Sequence, residues 1–212
     1  MTELRRRLIA TAQHMQAAGL NRGTAGNLSV RADEDGAFLI TPTGMACAEL
    51  VAEDLVLMRL DGSACGRRKP SSEWRFHRDL YAARPDAGAI LHAHSPFATS
   101  LACLRRDIPP FHYMIARFGG DSLRCAAYAT FGTQALSTAV LAAMAGRRAC
   151  LLANHGMLVC GADLAQALDL GVELEALCEQ YWRACQLGRP VLLEASEMVT
   201  VLDLFAHYGQ PN

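Results

Sequence analysis

At 212 residues and 51% hydrophobic composition, the chain is long enough to bury a core without covalent staples, and residues 1–212 read as one domain. Its 20 basic and 21 acidic residues leave a formal net charge of -1, so no overall field draws in nucleic acid or an anionic membrane, and a small-molecule partner is expected. Eight cysteines at irregular spacings, with no CxxC pair, read as buried free thiols. The N-terminal segment lacks the apolar core of a signal peptide and no stretch reaches the length of a membrane span, which predicts a cytoplasmic protein.

In chain order, apolar residues at Leu4, Leu8, Ile9, Ala12, Met15 and Ala18 have helical spacing, and Gly19 ends the run. The glycine-punctuated stretch GLNRGTAGNLSVR leads into a strand over residues 28–31. A turn over residues 33–36 and a second strand, AFLITPTG, complete a hairpin with small-residue corners. A further strand is predicted over residues 55–60, then the loop DGSACGRRKP and a helix from Ser71 to about Ala83. The apolar run Ala89-Ile90-Leu91 starts another strand, followed by a helix over residues 97–104 and an irregular aromatic stretch, FHYMIARFGGDSLRCAAYATFG. A helix over 133–145, strands over 150–153 and 157–160, and helices over 162–186 and 194–207 finish the chain. The order of strands and helices favours a largely antiparallel sheet covered by helices over a doubly wound parallel one.

Three histidines stand out. In AILHAHSP, His92 and His94 are two apart at the end of a strand, so their rings point the same way. His155, in LLANHGMLVCG, occupies a turn between two apolar strands, where a polar ring has no packing reason to be. Each alone reads as a hydrogen-bonded structural histidine; together they have the spacing of a three-histidine metal site with an open position. Glu73, behind Ser71 and Ser72, reads first as a helix-capping carboxylate. The corners Gly26-Asn27, Thr43-Gly44 and Ser71-Ser72 offer backbone amides and hydroxyls that can hold a phosphate, although each alone is only a turn. The arginine pairs 67–68, 105–106 and 147–148 read as solvated surface. Lys69, the only lysine, sits in a polar turn, which argues against Schiff-base chemistry.

GLNRGTAGNLSV, LITPTG, KPSSEWRFH, ILHAHS, HYMIARFGG, YATFGT and LLANHGMLVCG, in that order and over nearly the whole chain, resemble the class II aldolase/adducin family. The resemblance implies a three-layer α/β/α sandwich and a homotetramer with active sites between subunits. It assigns His92, His94 and His155 to Zn²⁺ or another divalent metal. Glu73 becomes the acid/base group, able to approach the metal in the empty site. Gly26, Asn27, Thr43, Gly44, Ser71 and Ser72 become the phosphate site. Tyr113 becomes a second proton-transfer group that reaches a neighbour's site, against the alternative that its loop packs on its own subunit. Tyr208 becomes a residue that closes over the substrate. The implied reaction cleaves a ketose 1-phosphate to dihydroxyacetone phosphate and an aldehyde through a metal-stabilised enediolate. Fuculose 1-phosphate and 5-deoxy- or 5-methylthio-ribulose 1-phosphate are the candidate substrates. Epimerases, decarboxylases and dehydratases of sugar phosphates, and adducin-like scaffolds without catalysis, are the alternatives within the family. Ala93 and Asn154 depart from the aldolases that the chain most resembles, which bears on the aldehyde fragment.

Overall fold

The structure, a computed structural model, describes residues 1–32 and 36–207. Within these residues eight strands form one sheet: β1 (Asn27–Arg31), β2 (Phe38–Ile40), β3 (Val56–Met58), β4 (Ala64–Cys65), β5 (Ala89–Ala93), β6 (Cys125–Ala126), β7 (Ala149–Leu152) and β8 (Gly156–Gly161). They lie in the order β4-β3-β2-β1-β5-β8-β7-β6. Every neighbouring pair is antiparallel except β6 with β7. Among the described residues six α-helices cover the sheet: α1 (Thr2–Ala17), α2 (Trp74–Ala83), α3 (Pro96–Ala102), α4 (Gln134–Ala143), α5 (Leu164–Leu187) and α6 (Ala195–Ala206).

The central strands carry apolar residues on both faces, and each face feeds its own core. Leu28, Leu39, Leu91, Leu151 and Val159 pack with residues of α1, α3, α5 and α6. Phe38, Ile40, Ile90, Cys150 and Leu158 pack with Phe76, Leu80 and Tyr81 of α2 and with Leu136 and Val140 of α4. This is the three-layer α/β/α arrangement with a mostly antiparallel sheet that the sequence implied. Helix α5 shows how the outer layers are specified: Leu164, Ala167, Leu170, Gly171, Leu174 and Leu177 are its buried stripe, and the Asp163 side chain caps it by accepting from the Gln166 N–H at 2.8 Å.

Several expectations need correction. The two-residue strands β4 and β6 lie inside segments expected to be loops, and they are too short to show alternation. Tyr113–Phe118, expected to be irregular, is a 3-10 helix. Part of the turn expected over residues 33–36 lies outside the described residues. All eight cysteines are free, but Cys65, Cys103 and Cys185 are exposed and only Cys150, Cys160 and Cys178 are fully buried. The arginine pairs are not all idle surface: Arg67 and Arg68 bind the buried Asp54, and Arg147 bonds Asp121 and the Gly119 carbonyl. Among the described residues no helix is long and apolar enough to cross a membrane.

Candidate metal centre and substrate cavity

The site grows from the middle of the sheet. Asn27 on β1 stands opposite His92 on β5 in the antiparallel register, and both project towards the α2 and α4 layer, on the face of Ile90. The strand ends at Ala93, yet His94 just beyond it still turns its ring to His92. The short turn between β7 and β8 brings in His155; its preceding residue, Asn154, takes a left-handed backbone at φ 52°, a conformation that asparagine tolerates better than most residues. Gly156 must be glycine, because a Cβ there would come within 2.4 Å of the Ala93 carbonyl oxygen and 3.0 Å of the His94 ring.

The three imidazoles meet edge to face, with centroids 4.8 to 4.9 Å apart. His92 Nε2 is 3.0 Å from His94 Nε2 and 3.1 Å from Glu73 Oε2. His155 Nε2 is 3.3 Å from Glu73 Oε1. One ring nitrogen from each histidine and one Glu73 carboxylate oxygen, four atoms able to act as ligands, lie within 4.8 Å of one another. His92 Nδ1 is 2.8 Å from the Met157 carbonyl, which can only accept, so Nδ1 carries a proton and Nε2 is the nitrogen turned to the centre. The buried Glu73 Oε1 also has no hydrogen-bond partner. Donor set, tautomer and orphaned oxygen therefore fit a divalent cation.

The electrostatics agree. Burial raises the Glu73 carboxyl, but the charge and hydrogen bond of His92, then His155 and the Asn27 amide, outweigh it and bring it to about 2. Burial first, and the charge of His92 second, lower His94 and His155 to about 4 against the opposing pull of Glu73. Both rings are thus neutral and ligand-ready at neutral pH.

Above the cluster is a cavity of about 300 Å³. Its wall includes Gly26, Asn27, Thr43, Gly44, Ser71, Ser72, Glu73, His94 and His155, so the three small-residue corners converge on one space. Among the described residues no lysine or arginine lines it; amides and hydroxyls at glycine corners and before α2 are the anion-binding groups available. Gly26 (φ 75°) is required by a close approach, since a Cβ would fall 2.3 Å from the Asn21 amide nitrogen. Glu73 occupies the N-cap position of α2 but makes no capping bond. The capping reading is therefore corrected: its side chain turns inward to the histidines.

Tyr113 does not line this cavity. It is half exposed, stacked 6.4 Å from Phe205, in a separate groove with Met114, Arg117, Val201 and Leu204. Tyr208 lies outside the described residues. Of the two departures noted in the sequence, Ala93 faces the α1 and α5 core and cannot touch a ligand. Asn154 lines the cavity, and its Oδ1 accepts from Arg105 Nε at 2.5 Å. Tyr128 and Phe131, also on the wall, were not singled out in the sequence because loop aromatics have no diagnostic spacing. Nor were two anchors of His94: the Asn21 side chain accepts its backbone N–H at 3.0 Å. Glu175 of α5 accepts from Ser95 Oγ at 2.6 Å and from the Phe97 and Ala98 N–H groups at 2.7 and 2.8 Å.

The profile of the class II aldolase and adducin N-terminal domain matches residues 6–182. The chain belongs to this family. It is 55% identical over 206 residues to the 5-methylthioribulose-1-phosphate/5-deoxyribulose-1-phosphate aldolase of Rhodospirillum rubrum, covering 97% of this chain and 92% of that protein. It is 44% identical over 208 residues to the L-fuculose phosphate aldolase of Escherichia coli strain K12, covering 98% and 96%. Among solved structures, an L-fuculose 1-phosphate aldolase superposes with a TM-score of 0.93 at 40% identity, covering 97% of each chain. These relatives of the family are lyases of phosphorylated sugars, and a class II aldolase is the kind of enzyme with which this chain agrees.

Proposed function

We propose that the chain is a zinc-dependent lyase that cleaves a ketose 1-phosphate reversibly to dihydroxyacetone phosphate and an aldehyde. The observation that carries this reading is the convergence of Glu73, His92, His94 and His155 within 4.8 Å at the floor of a cavity walled by three phosphate-type corners. His92, His94 and His155 would hold the ion, with Glu73 approaching it when no substrate is present. Bound there, the ion would supply Lewis-acid stabilisation of negative charge developing on the substrate. Gly26, Asn27, Thr43, Gly44, Ser71 and Ser72 hold the phosphate and so fix the reacting carbons over Glu73. In the direction of synthesis Glu73 removes the proton from C3 of dihydroxyacetone phosphate, and in cleavage it returns it.

The C4 hydroxyl proton needs a second group. Tyr113 of an adjacent subunit is our assignment: its exposed phenol stands away from its own chain's cavity, in an apolar groove suited to a subunit contact. We infer a homotetramer from the family resemblance and a cytoplasmic location from eight cysteines that all remain free thiols. The 55% identity to a methylthioribulose/deoxyribulose phosphate aldolase favours 5-methylthio- or 5-deoxy-ribulose 1-phosphate over fuculose 1-phosphate.

Dihydroxyacetone phosphate release from these three ketose phosphates, with metal content measured on the same preparation, tests the reading. Cleavage with about one zinc per chain is expected; retention below about a tenth of an equivalent after remetallation at neutral pH would overturn it. A mixed-subunit experiment tests the shared site. Tyr113→Phe and Glu73→Gln chains, each inactive alone, should regain activity on subunit exchange. Folded mixed oligomers that stay inactive would return Tyr113 to its own subunit.

A further inference from the structure

Behind Glu73 runs a line of polar groups that the reaction as described does not use. Glu73 at the N-cap of α2, and His77 and Tyr81 within the helix, are four apart and share one face. On β1, Asn27 and Ser29 are two apart and share the facing side. Four residues of helix advance about 6.0 Å and two of strand about 6.7 Å, so the two series interleave like the teeth of a zip. Asn27 Nδ2 donates to Glu73 Oε2 at 3.0 Å; Asn27 Oδ1 lies 2.5 Å from His77 Nε2; His77 Nδ1 lies 2.7 Å from Ser29 Oγ; and Ser29 Oγ lies 2.9 Å from Tyr81 OH. His77 and Ser29 are fully buried.

Only one arrangement of protons satisfies this line. An ionised carboxylate can only accept, so Asn27 must turn its NH₂ to Glu73 and its carbonyl oxygen to His77. That oxygen needs a donor, so His77 carries its proton on Nε2. Its Nδ1 is then a bare lone pair and takes the Ser29 hydroxyl proton, and Ser29 oxygen in turn accepts from Tyr81. The carboxylate at one end sets every bond up to the phenol at the other. Burial above all, then the charge of His92, against the attraction of Glu73, lowers His77 to about 3, so a second proton does not break the pattern at neutral pH.

We propose that His77 is a positioning residue: its Nε2–H locks the Asn27 amide in the one orientation that donates to Glu73, and Ser29 and Tyr81 lock the His77 tautomer. Without that donor the amide is free to rotate, and its oxygen would then face the carboxylate. A lone buried histidine next to Phe76, with which it stacks at 4.7 Å, would otherwise be mere packing. The inference rests on the proposed role of Glu73 in proton transfer.

Two measurements test it. Nitrogen-15 NMR of histidine-labelled wild-type protein, with His77 assigned by its loss in His77→Gln, should show Nε2 protonated and Nδ1 bare. A proton on Nδ1 alone, or on both nitrogens, overturns the relay. The second readout is exchange of the C3 proton of dihydroxyacetone phosphate with deuterated water, which needs no aldehyde. His77→Phe, which keeps a ring in the stack, should slow exchange by about 10- to 100-fold, the usual scale for a group supporting a site residue. His77→Gln, whose Nε2 can replace the imidazole donor, should recover most of the rate. In an Asn27→Ala background His77→Phe should have no further effect. Equal losses for Gln and Phe, or an undiminished loss without Asn27, would make His77 a packing residue. Should His77→Phe fail to fold, the wild-type tautomer and His77→Gln still decide. Wild-type exchange by Glu73→Gln would instead remove the functional reading beneath the inference, while the NMR tautomer would still accept or reject the relay.

Discussion

Two buried carboxylates of this protein invite comparison. Asp54, in the 3-10 turn Ala52–Asp54, has every demand met: Oδ1 accepts from Arg67 and Arg68 at 2.8 Å each, and Oδ2 from the Val51 N–H at 3.0 Å. Glu73 is buried too, but its neighbours are imidazoles and one amide, and its Oε1 has no donor. The first site is electrostatically complete with protein atoms alone. The second leaves one acceptor unmatched by protein atoms, as expected of a carboxylate beside a cation site.

The comparison can be broken most directly at Glu73. Glu73→Gln keeps the shape and removes the charge, so turnover should fall by roughly 10²- to 10⁴-fold while the circular dichroism spectrum and metal content stay near wild type. Retained turnover would place Glu73 alongside Asp54 as structure only. The next largest effect concerns the cation site. Zinc at about a thousandfold over its Kd should stabilise the metal-free protein by about 4 kcal/mol, a rise in Tm of roughly 8 to 16 °C for a chain of this length. His155→Ala should lose most of that rise in a melting experiment. Asp54→Asn should do the reverse of Glu73→Gln. Its arginine partners are half exposed, 52% and 49%, so their share is screened, and a loss of about 1 to 3 kcal/mol with unchanged kcat is expected from denaturant titration. An equal loss of kcat would mean that the turn before β3 reaches the cavity.

How much of this was legible in the sequence follows from the range of the interactions. The long helices and the central strands showed their periods, because each buries a regular stripe or a continuous apolar run. The histidine cluster was legible because strand alternation aligns His92 with His94 and because a polar His155 in an apolar turn needs a reason. Asp54 gave no signal: its partners are 13 and 14 residues away in a loop with no period, and two adjacent arginines look like surface. The relay behind Glu73 was written in the spacings 73, 77, 81 and 27, 29. It becomes readable only once the sheet register sets α2 over β1, and that is tertiary information. Burial of Ala93 away from the cavity is likewise a matter of which strand face is which, and a one-residue shift would have reversed it.

Acid separates the buried polar groups by pH window, and the effect is the smallest per step, at most about 1.4 kcal/mol per pH unit for one group. His77 is lowered to about 3 by burial first, with the His92 charge adding to it and Glu73 opposing; its other polar contacts, Ser29 and Asn27, are neutral. In the unfolded chain it protonates near 6.5. Between those values the unfolded state holds a proton that the folded state refuses, so the His77 contribution is whole above about pH 6.5 and is lost as pH falls towards 3. Asp54 is held at about 2, mainly by the Arg68 hydrogen bond against burial, with Val51 and Arg67 assisting, and its unfolded value is near 3.9. Its contribution is whole above about pH 4 and is lost only below that. Subtracting the stability curve of His77→Gln from wild type across pH 7 to 4 should therefore give a slope, and subtracting that of Asp54→Asn should give a flat line that bends only below pH 4. A flat His77 difference would mean that the imidazole is solvated or already protonated in the folded protein, and a sloping Asp54 difference above pH 5 would mean that its arginines do not hold it.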